Sequence, residues 1–430
     1  MLRFGCIADD FTGASDAASF LVKGGMSVQL INGIPSGNTI AAENVDAAVI
    51  ALKSRTQETA SAVRDSLEAV RWLKENGARK FYFKYCSTFD STKEGNIGPV
   101  ADAVMEYLQT PYTILCPALP VNGRTVKKGE LFVNGVPLHE SSMKNHPLTP
   151  MWDCRIARLI EPQSKYPSVE LWEEELKTKK EDLADKLSAK LEEQQQEKTA
   201  EHYYVIPDYA DDADAEEIVR LFGDCVFLTG GSGILTRLAA YVCGGKEGAG
   251  IPDPSAEGGA ILLAGSCSSA TLGQIEYYKN AGGPTRKICP EKLLSGEDDV
   301  EQIWKSMEDH PEKTVLIYSS DTPENVKKIQ NLGREKIARL LEETEAEIAL
   351  RAFRSGRRRI IVAGGETSGA VTKKLGFSSY RISDSVAPGV PVMIPVEDES
   401  VRLVLKSGNF GQPDFFERAI RMTGKATDKL

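Results

Sequence analysis

LRFGCIADDFTGASDAASFLVK, residues 2–23, holds the architecture in one unit. An apolar run from Leu2 to Ala8 stops at Asp9 and Asp10, and apolar residues then recur at three- and four-residue spacing from Ser15 to Lys23. A short buried strand leading into a helix with one apolar face is the βα unit of a parallel sheet. The same grammar continues with expected strands at residues 27–31, 47–52, 80–85 and 112–116, and helices at 60–75 and 97–108. The fold class is therefore α/β, beginning with a doubly wound domain.

The pattern extends beyond one core. At 430 residues the chain exceeds what a single domain usually buries. Residues 177–198 (KTKKEDLADKLSAKLEEQQQEK) place Leu183, Leu187 and Leu191 four apart in a charged background, which reads as a solvated amphipathic helix. Strand and helix patterns resume at 202–207, 214–222 and 226–229. The Gly- and Pro-rich run GGKEGAGIPDPSAEGG, residues 244–259, has no periodicity and reads as a linker between domains 1–243 and 260–430. Further strands are expected at 260–264, 315–319, 359–363, 390–395 and 401–406. Two domains result, each with a mainly parallel or mixed sheet flanked by helices, and the active site is expected in the cleft between them.

Bulk properties exclude several classes. A hydrophobic content of 41% with 27% charged residues is that of ordinary globular proteins. A formal net charge of -10 leaves no overall positive field for nucleic acid or an anionic membrane surface, so neither is expected as a partner. An anionic small molecule would have to be held by local Arg, Lys and backbone N–H groups. The eight cysteines have no C-x-x-C spacing, the four histidines no metal or triad spacing, and no run of 18 apolar residues occurs. A reduced, cytoplasmic protein is expected, with a homo-oligomer left open.

Chemistry-bearing residues collect after the strands, where open α/β sheets bind ligands. Asp9 and Asp10 follow the first strand and suit acceptance of a hydroxyl proton, with helix capping as the competing role. Arg55 and Lys84 suit a substrate carboxylate, with a surface ion pair as the alternative. In the C-terminal half, ILLAGSCSSATLGQIEYY and RRIIVAGGETSGAVTKKL each run from an apolar strand through a glycine and hydroxyl turn into a helix. Their turns carry Gly265, Ser266 and Ser268, then Gly364, Gly365, Glu366 and Thr367; SGNFG, residues 407–411, adds Gly408 and Asn409. Free N–H groups at such helix starts bind phosphate, and three such loops outweigh the plain turn-and-cap reading of any one. No G-x-x-x-x-G-K-[ST] or G-x-G-x-x-G string occurs, against both a P-loop and a standard dinucleotide site. Glu366 is a candidate for orienting Mg²⁺, directly or through water.

Read together, IADDFTGASD (7–16), KYCSTFDSTKEGNIG (84–98), PALPVNGRTVKKGELFVNGVPL (117–138), GSCSSAT (265–271), GGETSGAV (364–371) and SGNFG resemble the four-carbon acid sugar kinases over nearly the whole chain. The resemblance implies an N-terminal sugar-acid domain, a C-terminal nucleotide domain, and transfer of the ATP γ-phosphoryl group to the terminal hydroxyl of a four-carbon acid. It places Ser266, Gly364 through Thr367 and Gly408 on ATP, and Asp9, Asp10, Arg55, Lys84, Ser87 and Thr88 on the acid. The wider family often reads DSTLRGN where this chain has CSTFDSTKEGN, and the missing arginine favours the 3-oxo-tetronate branch over D-threonate or D-erythronate kinases. His146 stands where an aspartate is more usual and receives no role. A non-catalytic sensor of acid or nucleotide, and a dehydrogenase, are the rival classes.

Overall fold

Five consecutive buried residues, Phe4–Ala8, form strand β1. A strand buried on both faces is continuously apolar because it lies inside a parallel sheet covered by helices. The computed structural model describes residues 1–35, 44–145, 149–193, 201–244, 250–308, 314–330 and 333–425. It divides into two compact units, Met1–Gly250 and Ile251–Leu430.

In the first unit, β1 is joined by β2 (Val28–Asn32), β3 (Ala47–Ala51), β4 (Lys80–Lys84) and β5 (Tyr112–Cys116). The chain then makes a three-stranded antiparallel sheet from β6 (Arg124–Lys127), β7 (Glu130–Val133) and β8 (Val136–Pro137). It returns with β9 (Ser168–Leu171), β10 (Tyr203–Pro207) and β11 (Phe227–Gly230). The main sheet runs β2-β3-β1-β4-β11-β5-β10-β9, with every pairing parallel. The α/β expectation holds, and the helices fall close to their expected places at Thr59–Glu75 and Ile97–Leu108.

One boundary moves. The helix after β1 spans Phe11–Lys23, four residues earlier than its apolar spacing indicates, because the Asp10 side chain caps it by accepting from the Gly13 amide. The charged stretch near residue 177 also differs from a fully solvated helix. Its helix, Leu183–Glu193, buries Leu183 and Leu187. The rest of that reading, from residue 194, lies outside the described residues, as do His146 and His310.

In the second unit, β12 (Ala260–Ala264), β13 (Thr285–Lys287), β14 (Leu316–Tyr318), β15 (Arg359–Ala363), β16 (Ser379–Ala387), β17 (Val390–Pro395) and β18 (Arg402–Lys406) form the order β13-β14-β12-β15-β18-β17-β16. It is a mixed sheet: β17 runs antiparallel to both β18 and β16, and the other pairings are parallel. One face packs on Ile275 and Tyr278 of helix Ser269–Asn280 and on Phe415, Phe416 and Ala419 of helix Phe415–Thr423. Burial of the Ile275, Phe415 and Phe416 side chains contributes about 1.5–3 kcal/mol each. Residues 251–259 are held on this unit: Arg402 donates to the carbonyls of Asp253 and Pro254, and Ala256 bridges Gly424. No helix among the described residues is long and apolar enough to cross a membrane.

Candidate substrate and nucleotide sites

Parallel register decides which side chains meet in the first unit. Ala8 at the end of β1 pairs with Ala51 on one side and Lys84 on the other, so the residues that follow emerge at one edge. The Arg55 amide donates to the Asp9 carbonyl at 3.3 Å, which brings the loop after β3 against the loop after β1. The Arg55 guanidinium then grips the Asp9 carboxylate with two parallel bonds, Nε to Oδ2 at 2.8 Å and Nη2 to Oδ1 at 2.9 Å. Its Nη2 also lies 2.9 Å from Asp10 Oδ2. Four expected residues, Asp9, Asp10, Arg55 and Lys84, thus share one cluster.

Lys84 is buried and lies 3.5 Å from Asp16 Oδ2, which also accepts from Ser232 Oγ at 2.7 Å. Asp16 Oδ1 is buried with no hydrogen-bond partner among the described residues. Burial pushes the Asp9 and Asp16 carboxyls up, while Arg55 and Lys84 respectively draw them back. Burial pulls the Lys84 ammonium down, but Asp16 and Asp9 outweigh it and the net shift is upward. Both cations are held charged. Thr88 turns its hydroxyl to Asp90 at 2.6 Å, and Ser87 is half-buried in the same loop. Asn96 fixes the Arg55 loop by donating to the carbonyls of Ser54 and Gln57 at 2.7 and 2.8 Å.

Sequence reasoning assigned no role to Asp16, Ser232 or Asn96. Asp16 sits in the quoted IADDFTGASD run, and its distance of seven residues from Asp9, two helical turns on, was a usable signal. Ser232 lies 216 residues from Asp16 and offered none.

The second unit gathers its loops in the same manner. Ala363 at the end of β15 pairs with Ala264 of β12 and Lys406 of β18, so three turns leave three neighbouring strands at one edge. The Gly265 and Ser266 amides donate to the Ala363 carbonyl at 3.0 and 3.2 Å, and the Gly364 amide to the Lys406 carbonyl at 2.9 Å. Gly364 has φ 138, a backbone state side chains resist, and a Cβ there would stand 3.1 Å from the Ser266 amide nitrogen. A Cβ on Gly408 would collide with Ser266 Oγ, so these turns touch through bare backbone. Ser268 caps helix Ser269–Asn280 and donates to the Gly408 carbonyl at 2.6 Å.

A Cβ on Gly364 would also stand 3.3 Å from Thr367 Oγ1, so of the expected nucleotide residues Gly265, Ser266, Ser268, Gly364, Thr367 and Gly408 lie together. Gly365, Glu366 and Asn409 are exposed. Glu366 faces Glu342, whose carboxyl is pushed up by burial and then by the Glu366 charge. Among the described residues no group of three or more His, Cys, Asp or Glu is placed to hold a metal ion. Two titratable groups lacked any assignment. Glu345 is buried and accepts from Ser319 Oγ at 2.9 Å; burial drives its carboxyl up from 4.5 to about 7. Lys406 is buried, and burial lowers its ammonium from 10.5 to about 7. A lysine ending the apolar run VRLVLK is a readable signal, whereas Glu345 is one acid among many in helix Arg334–Arg354.

The first unit thus gathers an ionic cluster past its strands, and the second a set of glycine and hydroxyl turns at helix starts. A family described as a sugar-binding N-terminal domain matches residues 4–238, and one described as a nucleotide-binding C-terminal domain matches residues 261–416. The 3-oxo-tetronate kinase of Haemophilus influenzae is 42% identical over 96% of this chain and 98% of its own. That of Salmonella typhimurium is 39% identical over 98% and 99%. A crystal structure of a Salmonella typhimurium protein superposes with a TM-score of 0.86 at 38% identity, covering 98% of this chain and 100% of that one. One of a Haemophilus influenzae protein gives 0.80 at 40% identity, covering 97% and 99%. The chain belongs to the four-carbon acid sugar kinase family, and it is a kinase.

Proposed function

We propose that the protein transfers the γ-phosphoryl group of ATP to the C4 hydroxyl of 3-oxo-tetronate, giving 3-oxo-tetronate 4-phosphate and ADP. The observation that carries this reading is its likeness to kinases of that name across both units, 42% identity over 96% of the chain.

The first unit supplies what such an acceptor needs. Asp9 fixes the Arg55 guanidinium through Nε and Nη2, which leaves the Nη1 edge without a partner among the described residues and open to a substrate carboxylate. Lys84 adds positive charge to the same cluster. Asp10, about one-third exposed, is the carboxylate that water or substrate can reach, and it directs the C4 hydroxyl. The hydroxyl oxygen bonds to the γ-phosphorus, its proton passes to Asp10 or solvent, and the bond from γ-phosphorus to the bridging oxygen breaks with release of ADP. Ser87 and Thr88 line the acid's side of the site. ATP binds on the turns at Gly265, Ser266, Ser268, Gly364–Thr367, Gly408 and Asn409, where helix-start amides such as those of Gly365 and Glu366, which have no acceptor among the described residues, receive phosphate oxygens.

Magnesium fits this donor set, because in phosphoryl transfer it keeps waters and phosphate oxygens and needs only one or two carboxylates. The facing pair Glu342 and Glu366 would hold it, and a cation there would relieve their mutual repulsion. When bound, it neutralises phosphate charge.

The test is ADP release with magnesium ATP and three acids: 3-oxo-tetronate, D-threonate and D-erythronate. At least tenfold higher kcat/KM with 3-oxo-tetronate is expected. Preference for either of the others reassigns the acceptor, and binding without ADP release on all three makes the protein a sensor.

A further inference from the structure

Lys406 ends β18 with its side chain turned into the protein rather than toward solvent. Its Nζ donates to Thr271 Oγ1 at 2.9 Å, the Gly408 carbonyl at 3.0 Å and the Ser407 carbonyl at 3.3 Å, and it lies 5.6 Å from the centre of the Phe415 ring. Three acceptors match the three protons of an ammonium. Yet no carboxylate among the described residues pairs with it, and burial alone moves its titration. A buried cation without a counter-ion is costly, and proteins keep one where a ligand completes it.

The target of this lysine is specific. The Gly408 carbonyl accepts from Lys406 Nζ, from Ser268 Oγ at 2.6 Å and from Thr271 Oγ1 at 3.0 Å. Three donors fix that oxygen inward. In a planar trans peptide the N–H points opposite to the C=O, so the Asn409 amide faces away from Lys406, out of the loop. It finds no acceptor among the described residues, and Asn409 is exposed.

We propose that Lys406 is a positioning residue for the nucleotide: its ammonium locks the Gly408 carbonyl inward, turns the Asn409 amide outward as a phosphate donor, and takes its counter-charge from the bound phosphates. The inference deepens the nucleotide site proposed above and rests on it. Phosphate charge held across one peptide from the buried Nζ still favours the ammonium, so nucleotide binding at pH 7–9 takes up a proton. Affinity for magnesium ADP therefore falls as pH rises through this window.

Calorimetric titration of the wild-type protein with magnesium ADP should show affinity roughly tenfold weaker at pH 9 than at pH 7, with proton uptake when two buffers of different ionisation heat are compared. Lys406→Met keeps the apolar stem over Phe415 and removes the ammonium. It should raise the Kd for magnesium ADP at pH 7 at least tenfold, abolish the pH dependence and leave the KM for the acid within twofold. Equal Kd and equal pH dependence in the variant overturn the role of Lys406 while leaving the nucleotide site standing. If Lys406→Met does not fold, the wild-type measurement decides alone: binding without proton uptake overturns the inference. Failure of magnesium ADP to bind the wild-type protein overturns both the site and the inference.

Discussion

At the ends of β1 and β4 three carboxylates and two cations form ion pairs, whereas the three turns of the second unit hold one buried ammonium with no carboxylate bonded to it among the described residues. In the first region the protein supplies both signs of charge. Arg55 and Lys84 are kept cationic by aspartates, and one edge of the arginine remains for an incoming anion. In the second region hydroxyls and bare glycine backbone dominate, and the two buried titratable groups, Lys406 and Glu345, drift toward neutrality from opposite sides, each to about 7. The contrast teaches that the first region balances its charges internally, whereas the second keeps a buried ammonium that no carboxylate among the described residues balances.

The most severe test strikes the reactive end of the first region. Asp10→Asn retains the cap on helix Phe11–Lys23, since asparagine caps as well as aspartate, and should lower kcat about 1000-fold with an unchanged melting curve. Near-normal turnover would remove Asp10 from the chemistry. Next comes the claim that this region is internally balanced. Arg55→Met leaves Asp9 buried without its fork and Asp10 beside it, and urea denaturation should show a loss of about 4 kcal/mol. A loss under about 1 kcal/mol would mean that the pair is solvent-screened and the contrast between the regions false.

The third test sharpens the opposite side. Glu345 has its carboxyl raised on folding from 4.5 to about 7, so its stabilising contribution is complete below pH 4.5 and is lost as pH rises through about 7. Glu345→Gln should gain on the wild type by on the order of 3 kcal/mol between pH 4 and pH 8 in denaturation curves. A constant difference across that range would mean that Glu345 is not buried as described. The smallest effect concerns backbone alone. Gly364→Ala forces a side chain into φ 138 and toward the Ser266 amide, costing about 1–3 kcal/mol, with several-fold weaker magnesium ADP binding read by calorimetry.

The sequence made the βα alternation plain because strands buried on both faces are uninterrupted apolar runs, as in FGCIA and RIIVA. It hid the start of the first helix, since Phe11-Thr12-Gly13 has weak helical propensity and only the Asp10 cap sets that end. The small sheet β6–β8 is not legible in PALPVNGRTVKKGELFVNGVPL, because its short half-polar runs, such as RTVK and ELFV, are too brief to show a period. Strand β16 was missed for a similar reason, as SYRISDSVA mixes polar residues into an antiparallel pairing with β17. Gathering of Asp9, Asp10, Arg55 and Lys84 followed from one rule, that ligand groups collect past the carboxyl ends of parallel strands. Contacts such as Asp16 with Ser232 or Lys406 with Thr271 depend on which strands are neighbours, and strand order is not written in local periodicity.

Strand β11 lies between β4 and β5, although about 110 residues follow β5 before it is made. Thr113 and Thr229 tie it to β5 through the carbonyls of Phe227 and Ile114, and Tyr82 and Tyr85 of the β4 side bond Gly231 and Thr229. Without β11 the strands on its two sides have no partner to join them, and β4 and β5 would each present an unpaired edge of backbone amides and carbonyls. Closure of the sheet waits for the keystone strand, whose late place in the chain makes this pairing one of high sequence separation.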